Sequence, residues 1–171
     1  TALPYEEQIG RLADEIKEYM DEQNGSPEEC IFFGEPEPDD RKTERISGAE
    51  IVFAGFWTDK GDCSEKMKGF LESLHGRKVF LFGTAGFGGP EEYFSRILER
   101  VESHLASDNM VTGKYMCQGK MSMTVRERYE TMLEENPGDA RMKAMIENFD
   151  RALSHPDEAD LEGLRASVSA L

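Results

Sequence analysis

Two stretches carry residue types that suit a flat, electron-rich ligand. "GFWTDKGDC" (55–63) contains Trp57, the only tryptophan of the chain, and "GTAGFGG" (83–89) contains four glycines within seven residues. An indole gains roughly 0.5–1.5 kcal/mol beyond area burial by stacking on another ring. Bare peptides at Gly86, Gly88 and Gly89 allow backbone N–H groups to approach a ring edge where a side chain would obstruct it. Together they describe a slot for a planar heterocycle. Each stretch alone has a plainer reading, a strand-to-helix turn for the glycines and a core position for the tryptophan.

Both stretches follow short apolar runs, and the surrounding periodicity says how they are positioned. Residues 5 to 23 place Ile9, Leu12, Ala13, Ile16 and Met20 on one helical face, with Pro4 suited to the first position and Asn24-Gly25 to the exit. "CIFFG" (30–34) is a strand-type run, followed by the acidic linker "EPEPDDRK". "EIVFAGF" (50–56) and "KVFLFG" (78–83) are apolar on both faces, as strands covered on both sides are. "MVTGKYMC" (110–117) is a fourth strand, interrupted by Gly113.

Between the strands, Ser64 caps a helix bearing Met67, Phe70, Leu71 and Leu74 and closed by Gly76. Pro90, Glu91 and Glu92 open another, with Tyr93, Ile97, Leu98, Val101 and Leu105 inward. An extra helical segment of about residues 122–153 precedes a last helix that starts at "HPDE" and turns Leu161, Leu164 and Val168 inward. Alternating strands and helices over 1–171 predict one domain, a three-layer α/β sandwich with a mainly parallel sheet. In such sheets ligands lie outside the carboxyl ends of the strands, where both candidate loops begin. A chain opening on a helix lacks the strand that should precede it; because Thr1 is not a start methionine, an upstream segment is expected.

Composition narrows the function. A net charge of −15 argues against nucleic acid and suits docking onto a protein partner with a basic surface. No run approaches the ~20 consecutive apolar residues of a membrane span and no signal-peptide pattern opens the chain, so a cytoplasmic location is expected. The three cysteines, Cys30, Cys63 and Cys117, form no CxxC pair. The three histidines leave little material for a metal, and none is expected; His75 and His104 fall in last turns of helices, where they complement the dipole. Cys117 beside Lys120 in "CQGK" reads as a packing cysteine before a turn rather than a nucleophile.

The ordered set "AGFWTDKG", "LFGTAGFGG", "CQGK" and "SHPDEADL" resembles the flavodoxin-like domain family of anaerobic bacteria, from residue 6 onward. The resemblance implies a flavodoxin-like parallel sheet of order 2-1-3-4-5 with helices on both faces, and FMN at the carboxyl ends of its strands. It implies that Phe56, Trp57, Thr58, Lys60 and Gly61 flank one face of the flavin ring, with the Lys60-Gly61 peptide responding to its protonation state. Thr84, Ala85, Gly86, Phe87, Gly88 and Gly89 then flank the other.

The stretch before the first helix, "TALPYEEQ", departs from the Ser/Thr/Gly phosphate loop of flavodoxins. It offers only Thr1 to the phosphate and brings Glu6 and Glu7 near it, at a cost of roughly 3 kcal/mol for one carboxylate at an effective dielectric of 20. An FMN-binding electron-transfer protein of low potential is the function implied. The alternatives are an FMN-dependent oxidoreductase of a small substrate such as a quinone, and a flavin-free interaction module.

Overall fold

The computed structural model describes residues 4–24, 46 and 48–171; the expected strand at 30–34 and Thr1 lie outside them. Helix α1 (Pro4–Asn24) leads to strand β1 (Ile51–Trp57), helix α2 (Glu65–Glu72), strand β2 (Lys78–Ala85), helix α3 (Glu91–Glu102) and strand β3 (Met110–Gln118). Helices α4 (Met123–Glu135), α5 (Ala140–Ala152) and α6 (Glu158–Ser169) complete the chain. The three strands are parallel and lie side by side in chain order.

β2 is the central strand and is buried from Val79 to Ala85, which is why its residues are apolar without alternation. On one face, Val52, Ala54 and Phe56 of β1 and Val79 and Leu81 of β2 pack with Leu71 of α2 and with Ile97 and Val101 of α3. On the other, Phe80, Phe82 and Cys117 pack with Leu12 and Ile16 of α1 and with Leu161, Leu164 and Val168 of α6. The result is the three-layer α/β arrangement expected from the periodicity.

Three glycines fit the sheet together by making room for phenylalanines. A Cβ at Gly55 would stand 2.5 Å from the ring of Phe82, one at Gly83 would stand 2.6 Å from Phe56, and one at Gly113 would stand 2.7 Å from Phe80. Gly113 also marks the register shift between Val79 and Phe80, so the interruption read in β3 is a bulge within a continuous strand.

The helix starts follow their caps. Ser64 Oγ accepts from Met67 N–H at 3.2 Å, and Asp157 and Asp160 form a reciprocal capping box at the start of α6. α2 ends earlier than Gly76: Ser73 caps it and donates its hydroxyl to the Phe70 carbonyl. Leu74 still reaches the core, and Gly76, at φ 63°, turns the chain into β2.

Candidate functional site

The strand ends set the site. Trp57 is paired in register with Thr84, and beyond it Thr58 donates both its N–H (3.0 Å) and its hydroxyl (2.8 Å) to the Thr84 carbonyl. At the end of β3, Gly119 N–H donates to the Ala85 carbonyl at 2.9 Å. A cavity of about 270 Å³ opens beyond these three carboxyl ends. A larger depression of about 490 Å³ runs along α1 between Asp14, Lys17, Glu18, Asp21 and Glu22, but it offers no ring or bare peptide to a ligand.

Most of the sequence-derived residues meet at the strand-end cavity. Trp57, Thr58, Lys60 and Gly61 line it from the β1 loop, and Thr84, Ala85, Gly86 and Phe87 from the β2 end. Thr84 and Ala85 are buried, so they contribute mainly backbone. Phe56, Gly88 and Gly89 are not among the lining residues; Phe56 is a core side chain turned toward α2 and α3. Tyr93, read from sequence as an inward helix residue, also lines the cavity and meets Phe87 edge-on at 6.5 Å between ring centres. Burial raises the pKa of its phenol above the usual value.

The β1 loop turns tightly. Asp59 and Asp62 exchange two backbone hydrogen bonds of 2.8 and 3.1 Å around Lys60 (φ 51°) and Gly61 (φ 79°). Two successive positive φ values are the signature of a type I′ turn. Glycine adopts that conformation freely, whereas Lys60 carries a penalty of roughly 1–2 kcal/mol.

His104, just past α3, anchors the loop rather than a helix dipole: its Nε2 lies 2.9 and 3.0 Å from the two carboxylate oxygens of Asp62. Burial pushes the Asp62 carboxyl up. The His104 hydrogen bond, the Cys63 N–H and the imidazole charge outweigh that and hold it below the usual value. Cys63 next to it is a buried thiol, pushed up to about 12 by burial and by the Asp62 charge.

The glycines of the β2 loop are explained by the protein itself. A Cβ at Gly86 would stand 2.5 Å from Met121, and one at Gly88 would stand 2.5 Å from Gln118 Oε1. Only Gly89 is loosely surrounded, its nearest neighbour being Tyr93 at 3.8 Å. Two side-chain amides latch this loop. Gln118 and Asn148 each donate to the Gly86 carbonyl at 3.0 Å, and Asn148 Oδ1 accepts from Gly88 N–H at 3.2 Å and from Gln118 at 3.1 Å. Asn148 comes from α5 and is buried, so the extra helical segment acts directly on the site.

"CQGK" now separates into four tasks. Cys117 is a packed core residue, its thiol raised by burial and by the nearby charges of Asp160 and Asp157. Gln118 latches Gly86. Gly119 lies so close to Gln8 and Thr84 that no Cβ fits. Lys120 lines the cavity.

Several lining residues escaped the sequence reading. Tyr5, at the start of α1, stacks on Trp57 with 5.0 Å between centres and 20° between planes, and its hydroxyl accepts from Ser122 N–H at 3.2 Å. Val125, Arg128 and Tyr129 reach the cavity from α4. Their spacing of three and four residues is the one signal that marks a shared helix face.

This geometry can be set beside known proteins. A family model described as Flavodoxin domain matches residues 10–169. The chain belongs to the flavodoxin-domain family. It is 37% identical over 171 residues to the flavodoxin-like domain-containing protein BilS of Clostridium symbiosum (strain WAL-14163), an alignment covering 94% of this chain and 89% of that protein. A protein of the same name from Clostridioides difficile (strain CD3) is 37% identical over 112 residues, covering 66% of this chain and 64% of the relative. The resemblance on "GFWTDKG" and "CQGK" thus holds at the level of the family. Among the described residues no helix is long and apolar enough to cross a membrane.

Proposed function

We propose that this protein is an FMN-binding electron carrier whose flavin ring lies against Trp57 in the strand-end cavity. The observation that carries the reading is the meeting of an indole and the 84–87 backbone in one cavity at the carboxyl ends of parallel strands, in a chain of the flavodoxin-domain family. At about 270 Å³ the cavity is just below the usual range of about 300–1,000 Å³, which suits a flat ring that stays partly exposed. FMN supplies the redox chemistry when bound. The chain supplies the stacking indole and the peptides of the tight turn at Lys60-Gly61. The net charge of −15 fits a redox partner with a basic docking surface.

Tyr5 already covers one face of the indole, so a flavin ring takes the other face or displaces the phenol. That stack is the observation favouring the second reading, a flavin-free interaction module in which Tyr5 fills the ring's place. Titration of the full chain with FMN separates the two. An electron carrier quenches flavin fluorescence saturably and loses at least tenfold in affinity on Trp57→Leu. No binding at millimolar FMN leaves the flavin-free module, and steady turnover of a nicotinamide donor with a quinone assigns an oxidoreductase instead.

A further inference from the structure

We propose that the wall of the cavity built by the β3–α4 connection and α4 is a binding subsite for an oxyanion, a phosphate or carboxylate group of a ligand whose flat part lies against Trp57. The proposal uses the same cavity as the flavin reading but does not depend on the flat part being a flavin.

The first observation is charge. Lys60, Lys120 and Arg128 line the cavity, against Asp59 as the one carboxylate among its described lining residues. The whole chain has 35 acidic and 20 basic side chains, so a cavity wall with this excess of cations runs against the composition. Several basic side chains elsewhere are tied to carboxylates, while others, Arg141 and Lys143 of α5 among them, are simply exposed. Arg11 pairs with Glu158, Lys114 with Glu102, and Arg165 with Glu15 and Glu22. Among the described residues, neither Lys120 nor Arg128 makes an ion pair or a side-chain hydrogen bond.

α4 makes the contrast within one helix. Arg126 is bound by Glu130 of its own helix and by Asp150 of α5, at 3.0 Å for the latter. Arg128, two residues on, is exposed and lines the cavity with Val125 and Tyr129, and no acidic residue of α4 lines it. A guanidinium left without a carboxylate in a chain this acidic is available to an external one.

The second observation is positioning. The Lys120 backbone is fixed from both sides, its N–H donating to the His155 carbonyl at 3.3 Å and its carbonyl accepting from Gln8 Nε2 at 3.0 Å. The base of the lysine is therefore set before any ligand arrives. The start of α4 adds to the field, since its first turn holds no acidic residue and Ser122 Oγ bonds Thr124 Oγ1 (2.7 Å) instead of a backbone N–H. Tyr5, Trp57 and Tyr129 complete the wall with rings. A site of rings beside unpaired cations suits a planar ligand carrying an acidic group.

The phosphate of FMN and the carboxylate of an acidic aromatic substrate share this chemistry, and matched pairs of probes separate them. The indole N–H resonance of Trp57, the single tryptophan, is followed by NMR in ¹⁵N-labelled full chain during titration with FMN or riboflavin, and separately with 1-naphthoate or 1-naphthamide. The proposal predicts that the anionic member of at least one pair binds about tenfold more tightly than its neutral counterpart. Each partly exposed cation accounts for about two- to fivefold of that preference.

In Lys120→Gln/Arg128→Gln the preference falls below about twofold, while the neutral probe keeps its affinity. Arg141→Gln/Lys143→Gln, which removes the same charge from exposed positions on α5, retains it. A preference in the FMN pair assigns the subsite to the cofactor phosphate, and one in the naphthoate pair assigns it to an acidic second ligand. The proposal is overturned if neither pair shows a preference, if the preference survives the cavity variant, or if the α5 control loses it equally. Failure of both FMN and riboflavin to bind removes the flavin reading, while the naphthoate pair still decides the oxyanion.

Discussion

The loops after β1 and β2 border one cavity and are held in place by opposite means. The β1 loop closes on itself: Asp59 and Asp62 hydrogen-bond across Lys60-Gly61, and one histidine from the end of α3 fastens the turn. The β2 loop has no such turn of its own, and its Gly86 carbonyl and Gly88 N–H are satisfied by amides from β3 and α5. The first loop is thus a local turn with one tertiary fastening, and the second is held by tertiary contacts alone. A local loop keeps its shape when distant parts of the chain change, whereas a latched loop reports the state of whatever latches it. The Lys60-Gly61 turn is accordingly the more insulated of the two, and the Gly86 side of the cavity is tied to the α4–α5 hairpin.

The largest effect expected from this contrast comes from the latch. Asn148→Ala removes three hydrogen bonds at a buried position and leaves Gly88 N–H without its acceptor, so it costs roughly 2–3 kcal/mol in chemical denaturation. Hydrogen exchange at the Gly88 amide accelerates, while the Asp59 and Asp62 amides stay protected. Equal acceleration in both loops removes the distinction between them.

The glycines of the β2 loop sharpen it next. Gly86→Ala drives a Cβ to 2.5 Å from Met121 and costs roughly 1–3 kcal/mol, whereas Gly89→Ala makes only a 3.8 Å contact and stays within about 0.5 kcal/mol of the parent. These are measured without any ligand. If both substitutions are neutral in the free protein, Gly86 is needed for something other than Met121.

His104→Ala tests the fastening of the β1 loop and costs about 1 kcal/mol at neutral pH. The Asp62 carboxyl has its lower pKa in the folded state. Its contribution is therefore complete above the unfolded value of about 3.9 and fades as pH falls below it. The variant loses part of that fade, seen as a shallower drop in stability between neutral pH and pH 3. Parallel curves for parent and variant contradict the role given to His104.

The smallest effect has the opposite sign. Lys60→Gly relieves the left-handed conformation of a side-chain-bearing residue and stabilises the protein by about 0.5–1 kcal/mol in thermal unfolding. A loss of stability would mean that the lysine side chain holds the turn.

What the amino-acid sequence disclosed follows the same divide between local and tertiary. β2 declared itself by seven apolar or small residues without alternation, α6 by its start at "HPDE" and the spacing of Leu161, Leu164 and Val168, and the cavity by two loops at strand ends. Each signal lies within a short window of chain. Tyr5 stacking on Trp57, His104 on Asp62 and Asn148 beneath Gly88 join residues 42 to 60 positions apart, and no local spacing announces them. Gly86 and Gly88 mark the boundary case. The need for a bare backbone was legible, but the neighbour imposing it, Met121 or Gln118, was visible only in three dimensions.

The central claim is that Trp57 and the Gly86-Phe87 backbone face one flavin ring. Intermolecular NOEs from the ring methyl groups and the N3 proton of bound FMN test it most directly. The account predicts cross-peaks to both the Trp57 indole and the Gly86 or Phe87 amide in the same complex. Cross-peaks confined to residues outside the cavity, with the Trp57 indole unchanged, would contradict it.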